Sequence, residues 1–173
     1  MKARITIAMI ISAVLFCFGG SEAQQVIFLV RHAETVAPRG TDLRPLSEAG
    51  QRRAVLLAKL LKDAGINAIY TSDLERTVKT AEPLAESLRI EPKPLSQLSV
   101  SFKPNDIENF VNRLRNEHRQ DVVLVVGHSN SVPALLKGLG HPAEIKIPET
   151  EFDNLFVLIP ANDGPPRLLR LRY

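Results

Sequence analysis

The chain has 173 residues, 45% of them apolar, which suits one domain with a real core. Its formal charge of +3 is mild and no block of like charges stands out, so nucleic acid is not indicated as a partner. The single cysteine, Cys17, excludes intramolecular disulfides.

The first residues read as a targeting segment. Lys2 and Arg4 form a positive start, Ile5 to Phe18 is almost unbroken apolar sequence, and Gly19-Gly20 breaks it. Ser21-Glu22-Ala23 then places small residues where a signal peptidase cuts. The expectation is a signal peptide over residues 1–23, cleaved after Ala23, with the folded domain over 24–173. That implies a periplasmic or secreted protein with no stable membrane anchor after cleavage. The alternative is an uncleaved N-terminal anchor. Cys17 lies within the segment, so the processed chain would have no thiol for catalysis.

Val26 to Val30 is a short apolar run that predicts a buried strand, and it ends in Arg31-His32. Ala37 to Asp42 is a loop by composition. Ser47 reads as a helix N-cap, followed by a stripe of Leu56, Leu57, Leu60, Leu61 and Ala64, with Gly65 past the end. Ala68 to Thr71 predicts a second strand. Ser72 is expected to cap the next helix with Glu75 as its capping-box partner, and Pro83 to bend it. The buried face of that helix reads as Leu74, Val78, Ala81, Ala85 and Leu88. Arg76, in the first turn, can reach back over the strand ends.

Residues 90–104 hold Pro92, Pro94 and Pro104 and read as a loop with one edge strand. Asn105 with Glu108 is expected to cap a third helix carrying Ile107, Phe110, Val111 and Leu114 inward. Val122 to Val126 is the clearest core strand and runs into Gly127-His128-Ser129-Asn130-Ser131. A fourth helix tolerates Pro133 in its first turn and buries Leu135, Leu136 and Leu139. Phe152 to Ile159 predicts another strand. Asn162-Asp163-Gly164 marks a turn, and Leu168 to Tyr173 a last, antiparallel strand. His118, between Glu117 and Arg119, reads as a solvated helix end, and His141 as a loop residue.

Strands alternating with helices predict an α/β layered sheet. Arg31-His32, Ser72 to Arg76 and Gly127-His128 each follow a strand, so they converge at one sheet edge. Two arginines and two histidines around a cleft suit a dianionic tetrahedral group. One neutral imidazole could then attack phosphorus while the other groups neutralise the oxygens. No metal-ligand spacing is present, and neither a metal nor another cofactor is expected.

Arg31-His32-Ala33-Glu34 resembles the Arg-His-Gly signature of the histidine phosphatase superfamily, the phosphoglycerate-mutase-like fold. Ser72 to Thr77 with Thr80-Ala81 resembles its second arginine motif, and Val126 to Asn130 its second histidine motif. Each motif is unspecific alone; three in order, each after a strand, form a specific signal. The resemblance implies a three-layer sandwich, a mostly parallel sheet with helices on both faces. It implies His32 as the nucleophile, forming a phosphohistidine, and Arg31, Arg76 and His128 as the rest of the phosphate pocket. Glu34 and Ser129 are further substrate-binding candidates, with Glu34 equally able to be a structural partner for an arginine. The implied partner is a phosphorylated small molecule or envelope component.

The chain departs from the pattern in Ala33, where glycine is usual, and in Leu95 to Ser101, which has no carboxylate for a general acid. Either the leaving group needs little protonation, or Glu34, Asp42, Glu149 or Glu151 is recruited. Loops 37–46 and 90–104 and residues 141–151 are expected to form the pocket walls. Two further readings stay open. A phosphate-binding module could have kept the pocket and lost turnover. Gly127 to Ser131 also approaches a serine-hydrolase elbow, with Ser129 as nucleophile and only His141 following as a base.

Overall fold

The computed structural model describes residues 24–36 and 44–173. The expected signal segment 1–23 and most of the first loop, with Asp42, lie outside the described residues. The elements in order are β1 (Val26–Arg31), α1 (Glu48–Leu61), β2 (Ile66–Thr71), α2 (Glu75–Leu88), β3 (Lys93–Pro94), a 3-10 turn (Ser96–Leu98), α3 (Pro104–Glu117), β4 (Val122–Gly127), α4 (Ser131–Gly138), β5 (Asn154–Ile159) and β6 (Arg167–Arg172). No helix among the described residues is long and apolar enough to cross a membrane.

The strands form one sheet in the order β3-β2-β4-β1-β5-β6. β1 to β4 run parallel; β5 is antiparallel to β1, and β6 to β5. Alternation along the central strands sorts their side chains into two cores. Ile27, Leu29, Val123 and Val125 pack with Phe110, Leu114, Leu135 and Leu136 of α3 and α4. Val30, Leu124 and Val126 pack on the other side with Leu57, Leu61, Ala81 and Leu84 of α1 and α2. This is the expected three-layer α/β sandwich with a mostly parallel sheet and helices on both faces.

Local detail differs from expectation in several places: β5 starts at Asn154, and α2 buries Arg76, Thr77, Thr80, Ala81, Leu84 and Ala85, with Leu74, Val78 and Leu88 only half-buried. The buried face of α1 is Gly50, Ala54, Leu57, Ala58 and Leu61, while Leu56 and Leu60 are exposed. The leucine run offers two settings of the helix. Small Gly50 and Ala54 decide between them, because only that face lets the helix approach closely. Ser72 is not a helix cap: Leu74 holds that position, and α2 begins at Glu75 without a side-chain cap bond. α3 starts one residue before Asn105, at Pro104, whose fixed φ suits a first helical position. The carboxylate of Asp106, not of Glu108, accepts the Lys103 N–H at 2.7 Å. His118 is buried, not solvated. It lies 2.8 Å from the Tyr70 hydroxyl and 2.8 Å from Asp121. Its charged neighbours in sequence face away, while α3 delivers this position to the sheet.

The turn after β1 is clamped by the start of α1. Ser47 caps α1 through Gly50 N–H, and its own N–H donates to the Glu34 carbonyl at 2.9 Å. A Cβ on Gly50 would stand 2.1 Å from that same oxygen. Gly50→Ala is therefore expected to cost about 1–3 kcal/mol, read as a lowered urea midpoint at unchanged slope.

Candidate active site

Strand register assembles the site. Arg31 pairs with Gly127 at the ends of β1 and β4, and Thr71 pairs with Val126 across β2 and β4. The next residues, His32, His128 and Ser72, thereby emerge side by side. His32 N–H donates to the Gly127 carbonyl at 2.9 Å. Thr80 of α2 ties the second arginine helix to the same place: its hydroxyl accepts the Ala33 N–H at 2.9 Å and donates to the Arg76 carbonyl at 2.7 Å. The resulting cleft is lined by Arg31, His32, Arg76, His128, Ser129 and Glu149. The sequence-based expectation that three separated motifs meet at one edge describes this placement.

His32 Nδ1 lies 2.8 Å from the Ala33 carbonyl oxygen. A carbonyl only accepts, so Nδ1 carries the hydrogen and Nε2 is left with its lone pair. Burial pushes the imidazole pKa down to about 4, and the charges of Arg31 and Arg76 add to this, against the Ala33 hydrogen bond. The ring is neutral at ordinary pH, as a nitrogen nucleophile must be.

His128 sits edge-on to it, with ring centroids 5.3 Å apart. Its Nε2 is 2.9 Å from Ser72 Oγ, which is 2.9 Å from Thr77 Oγ1. The Thr77 hydroxyl donates to the Leu74 carbonyl at 2.7 Å. Its one hydrogen is thus spent, so Ser72 donates to Thr77 and accepts from His128 Nε2–H. His128 Nδ1 is buried without a hydrogen-bond partner among the described residues. Burial, with the positive fields of His32, Arg76 and Arg31, lowers its pKa to about 3. An anion would reverse that field and let Nδ1 take up a proton and donate it.

The two guanidinium groups are buried, Arg31 at 4% and Arg76 at 5% exposure. Arg31 donates to the carbonyls of Pro148 (2.9 Å) and Glu151 (3.2 Å) and to the Glu149 carboxylate (2.6 Å). Its guanidinium carbon lies 4.2 Å from the centre of the Phe152 ring. Its Nε is buried without a partner among the described residues.

Two further sequence candidates, Glu34 and Ser129, make different contacts. Glu34 is outside the cleft lining. Both its oxygens are held by Arg53, with the Nη2 contact at 2.7 Å. Burial works to raise its pKa, but the Arg53 hydrogen bonds and charge outweigh this and leave it below the usual carboxylate range. The following helix supplies the arginine that holds it, which is the structural partnership the sequence also offered. Ser129 does line the cleft, but its hydroxyl donates to Glu149, not to an imidazole. The serine-hydrolase arrangement is not formed.

Of the other recruited-acid candidates, Glu151 is engaged by Asn154, Arg170 and Arg172, and Glu149 alone lines the cleft among the described residues. The hydrogen bond from Ser129 and the Arg31 charge hold the Glu149 carboxyl below the usual range, against burial. Sequence reading missed the Ser72–His128 bond and the cleft position of Phe152, while Arg44 and Val100 line the cleft from the two loops expected to wall it. Phe152 carries no spacing signal. Ser72 did carry one, since it directly follows a strand, but helix capping was the competing use of that residue type.

Residues 27–99 match the family model described as the histidine phosphatase superfamily (branch 1). Curated relatives include "Probable phosphoglycerate mutase GpmB" of Yersinia enterocolitica, 46% identical over 66 residues, covering 35% of this chain and 31% of that protein. The protein of the same name from Proteus mirabilis is 46% identical over 68 residues, covering 36% and 32%. The chain spans about a third of the length of the curated relatives it matches. Among solved structures, the protein histidine phosphatase SixA complexed with tungstate superposes with a TM-score of 0.71 at 22% identity, covering 85% of this chain and 96% of that one. The mycobacterial glucosyl-3-phosphoglycerate phosphatase gives 0.62 at 17%, covering 86% and 97%. At these identities the structures establish a shared fold.

Two outcomes follow from the imidazoles. In the unfolded chain they protonate near pH 6.5, but in the fold only near pH 4 and 3. Between those values the unfolded state binds more protons, so stability is present above pH 6.5 and is lost as pH falls towards 4. Urea midpoints at pH 7 and pH 5 check this, and a His32→Asn/His128→Asn double variant should flatten the difference. Ser72→Ala strands His128 Nε2–H without its acceptor and is expected to cost about 1–3 kcal/mol, measured the same way.

Proposed function

We propose that this chain, whose residues 27–99 belong to the histidine phosphatase superfamily, hydrolyses phosphomonoesters or phosphohistidine through a phosphohistidine intermediate on His32. The observation that carries the reading is a neutral imidazole with a bare Nε2, set beside a second imidazole and two buried guanidinium groups in one cleft. His32 Nε2 attacks phosphorus and the bond to the leaving oxygen or nitrogen breaks. Water then attacks the phosphohistidine, the N–P bond breaks, and inorganic phosphate leaves. Arg31, Arg76 and His128 hold the phosphoryl oxygens and offset the charge that spreads over them in the transition state. The buried Nε of Arg31 and Nδ1 of His128 are polar atoms that such an anion would satisfy.

The substrate class is a phosphorylated small molecule or a phosphorylated envelope component. The envelope enters because residues 1–23 have the composition of a cleaved signal, which would deliver the protein to the periplasm or outside the cell. The mutase name of the curated relatives suggests a competing fate for the phosphohistidine: transfer to a second hydroxyl instead of water. Phosphate release separates the two, because a mutase isomerises its substrate without net release.

A second reading has a specific observation in its favour. Leu95 to Ser101 contains no carboxylate, so a binding module that never turns over remains compatible with the pocket. The experiment is a phosphate-release screen over aryl esters, sugar phosphates and phosphohistidine, with acid-labile phosphate labelling of the protein. The enzyme reading expects release and a label, both lost in His32→Ala. Arg76→Ala should lower kcat about 10²–10³-fold. Binding of substrate with neither label nor release would establish the module instead.

A further inference from the structure

A phosphatase that uses unactivated esters must put a proton on the departing oxygen and take one from the attacking water. The stretch 95–101, which approaches the cleft through Val100, offers no group for either task. Glu34 is closed in the Arg53 fork, and Glu151 is occupied by Arg170 and Arg172. Glu149 is placed otherwise. One carboxylate oxygen accepts from Ser129, the residue after His128, and the other from Arg31, the residue before His32. It therefore bridges the two segments that carry the imidazoles, and its charge acts on His32. Its side chain is 78% exposed, so it meets the solvent from which water and substrate arrive.

We propose that Glu149 is the proton-transfer group of the cleft. The inference rests on the phosphatase reading above. In the first step the N–P bond forms at His32 Nε2, the P–O bond to the leaving group breaks, and the Glu149 carboxyl gives its proton to that oxygen. In the second step water attacks phosphorus and its proton returns to the Glu149 carboxylate. The N–P bond breaks with its electron pair going back to Nε2, and phosphate departs. The two steps together add one water across the ester and leave Glu149 as it began. Phosphate arriving at Arg31 would bring negative charge beside the carboxylate and favour its protonated form, which primes the first step. Above the carboxyl's titration range the assistance fades, so alkyl esters depend on acidity while esters of acidic phenols do not.

Glu149→Gln tests this because the amide keeps a similar shape and loses the transferable proton. The full chain would be assayed with a graded series from dinitrophenyl to alkyl phosphates across pH. For the variant, kcat/KM for the alkyl ester should fall about 10²–10⁴-fold, far more than kcat/KM for dinitrophenyl phosphate, whose kcat should still drop because water attack on the phosphohistidine loses its base. The fall of alkyl-ester activity with rising pH should also vanish. Glu149→Asp, with a carboxyl on a shorter stem, should restore part of that pH limb. An equal loss of kcat/KM for every leaving group, with the pH profile unmoved, would mean that Glu149 only braces Arg31, and the proposal fails. Variant activity equal to that of the unaltered protein also overturns it. Either result, obtained while phosphate release still requires His32, leaves the phosphatase reading standing. Release that survives His32→Ala would remove that reading instead.

Discussion

The site depends on the parallel register of β1 against β4. Pairing Arg31 with Gly127 sets His32 beside His128 and lets His32 N–H reach the Gly127 carbonyl. A slip of one residue would turn every side chain of β1 to the opposite layer. Ile27 and Leu29 would leave the α3–α4 core, and the functional pair would separate. The two cores therefore enforce the register, and the register enforces the chemistry. Gly127 adds a local condition. A Cβ there would meet Ser131 Oγ at 2.7 Å, and that oxygen is the acceptor for His128 N–H.

The charges in the cleft oppose folding and favour anion binding. Their own burial keeps both imidazoles neutral, and the charges of Arg31 and Arg76 beside them add to it. A tetrahedral dianion would be attracted by both guanidinium groups and would set its charge against that of Glu149 alone among the described lining. Part of the desolvation of Arg31 is already offset by two carbonyls, the face of Phe152 and Glu149. Arg31 is thus held in place before any ligand arrives, which lowers the ordering cost of binding.

Layer order and the meeting of three motifs were legible in the sequence because they follow from strong, periodic signals. Val122 to Val126 reads as a core strand in any frame, and what directly follows a parallel strand lies at the sheet edge. Side-chain partnership was not legible. Glu34 stands two residues from His32, yet Arg53, two turns into α1, holds it. Ser72 has the type and position of a helix cap, yet bonds to a histidine 56 residues away. His118 has charged neighbours on both sides, yet α3 inserts it between Tyr70 and Asp121. In each case a short polar residue had several local uses, and the tertiary contact decided among them.

The wall of the cleft opposite α2 comes from the antiparallel end of the sheet. β6 reads as an exposed, arginine-rich edge, the kind that discourages strand pairing with other chains. Two of those arginines, though exposed, pair with carboxylates of the segment before β5. Arg170 and Arg172 hold Glu151, and Arg172 holds Asp153. Glu151 lends its carbonyl to Arg31 two contacts further on. The position of Glu149 thus rests on a strand that lies far from the parallel core. The parallel half of the sheet brings Arg31, His32, Arg76 and His128 to the cleft, while the segment before the antiparallel β5 brings Glu149 and Phe152.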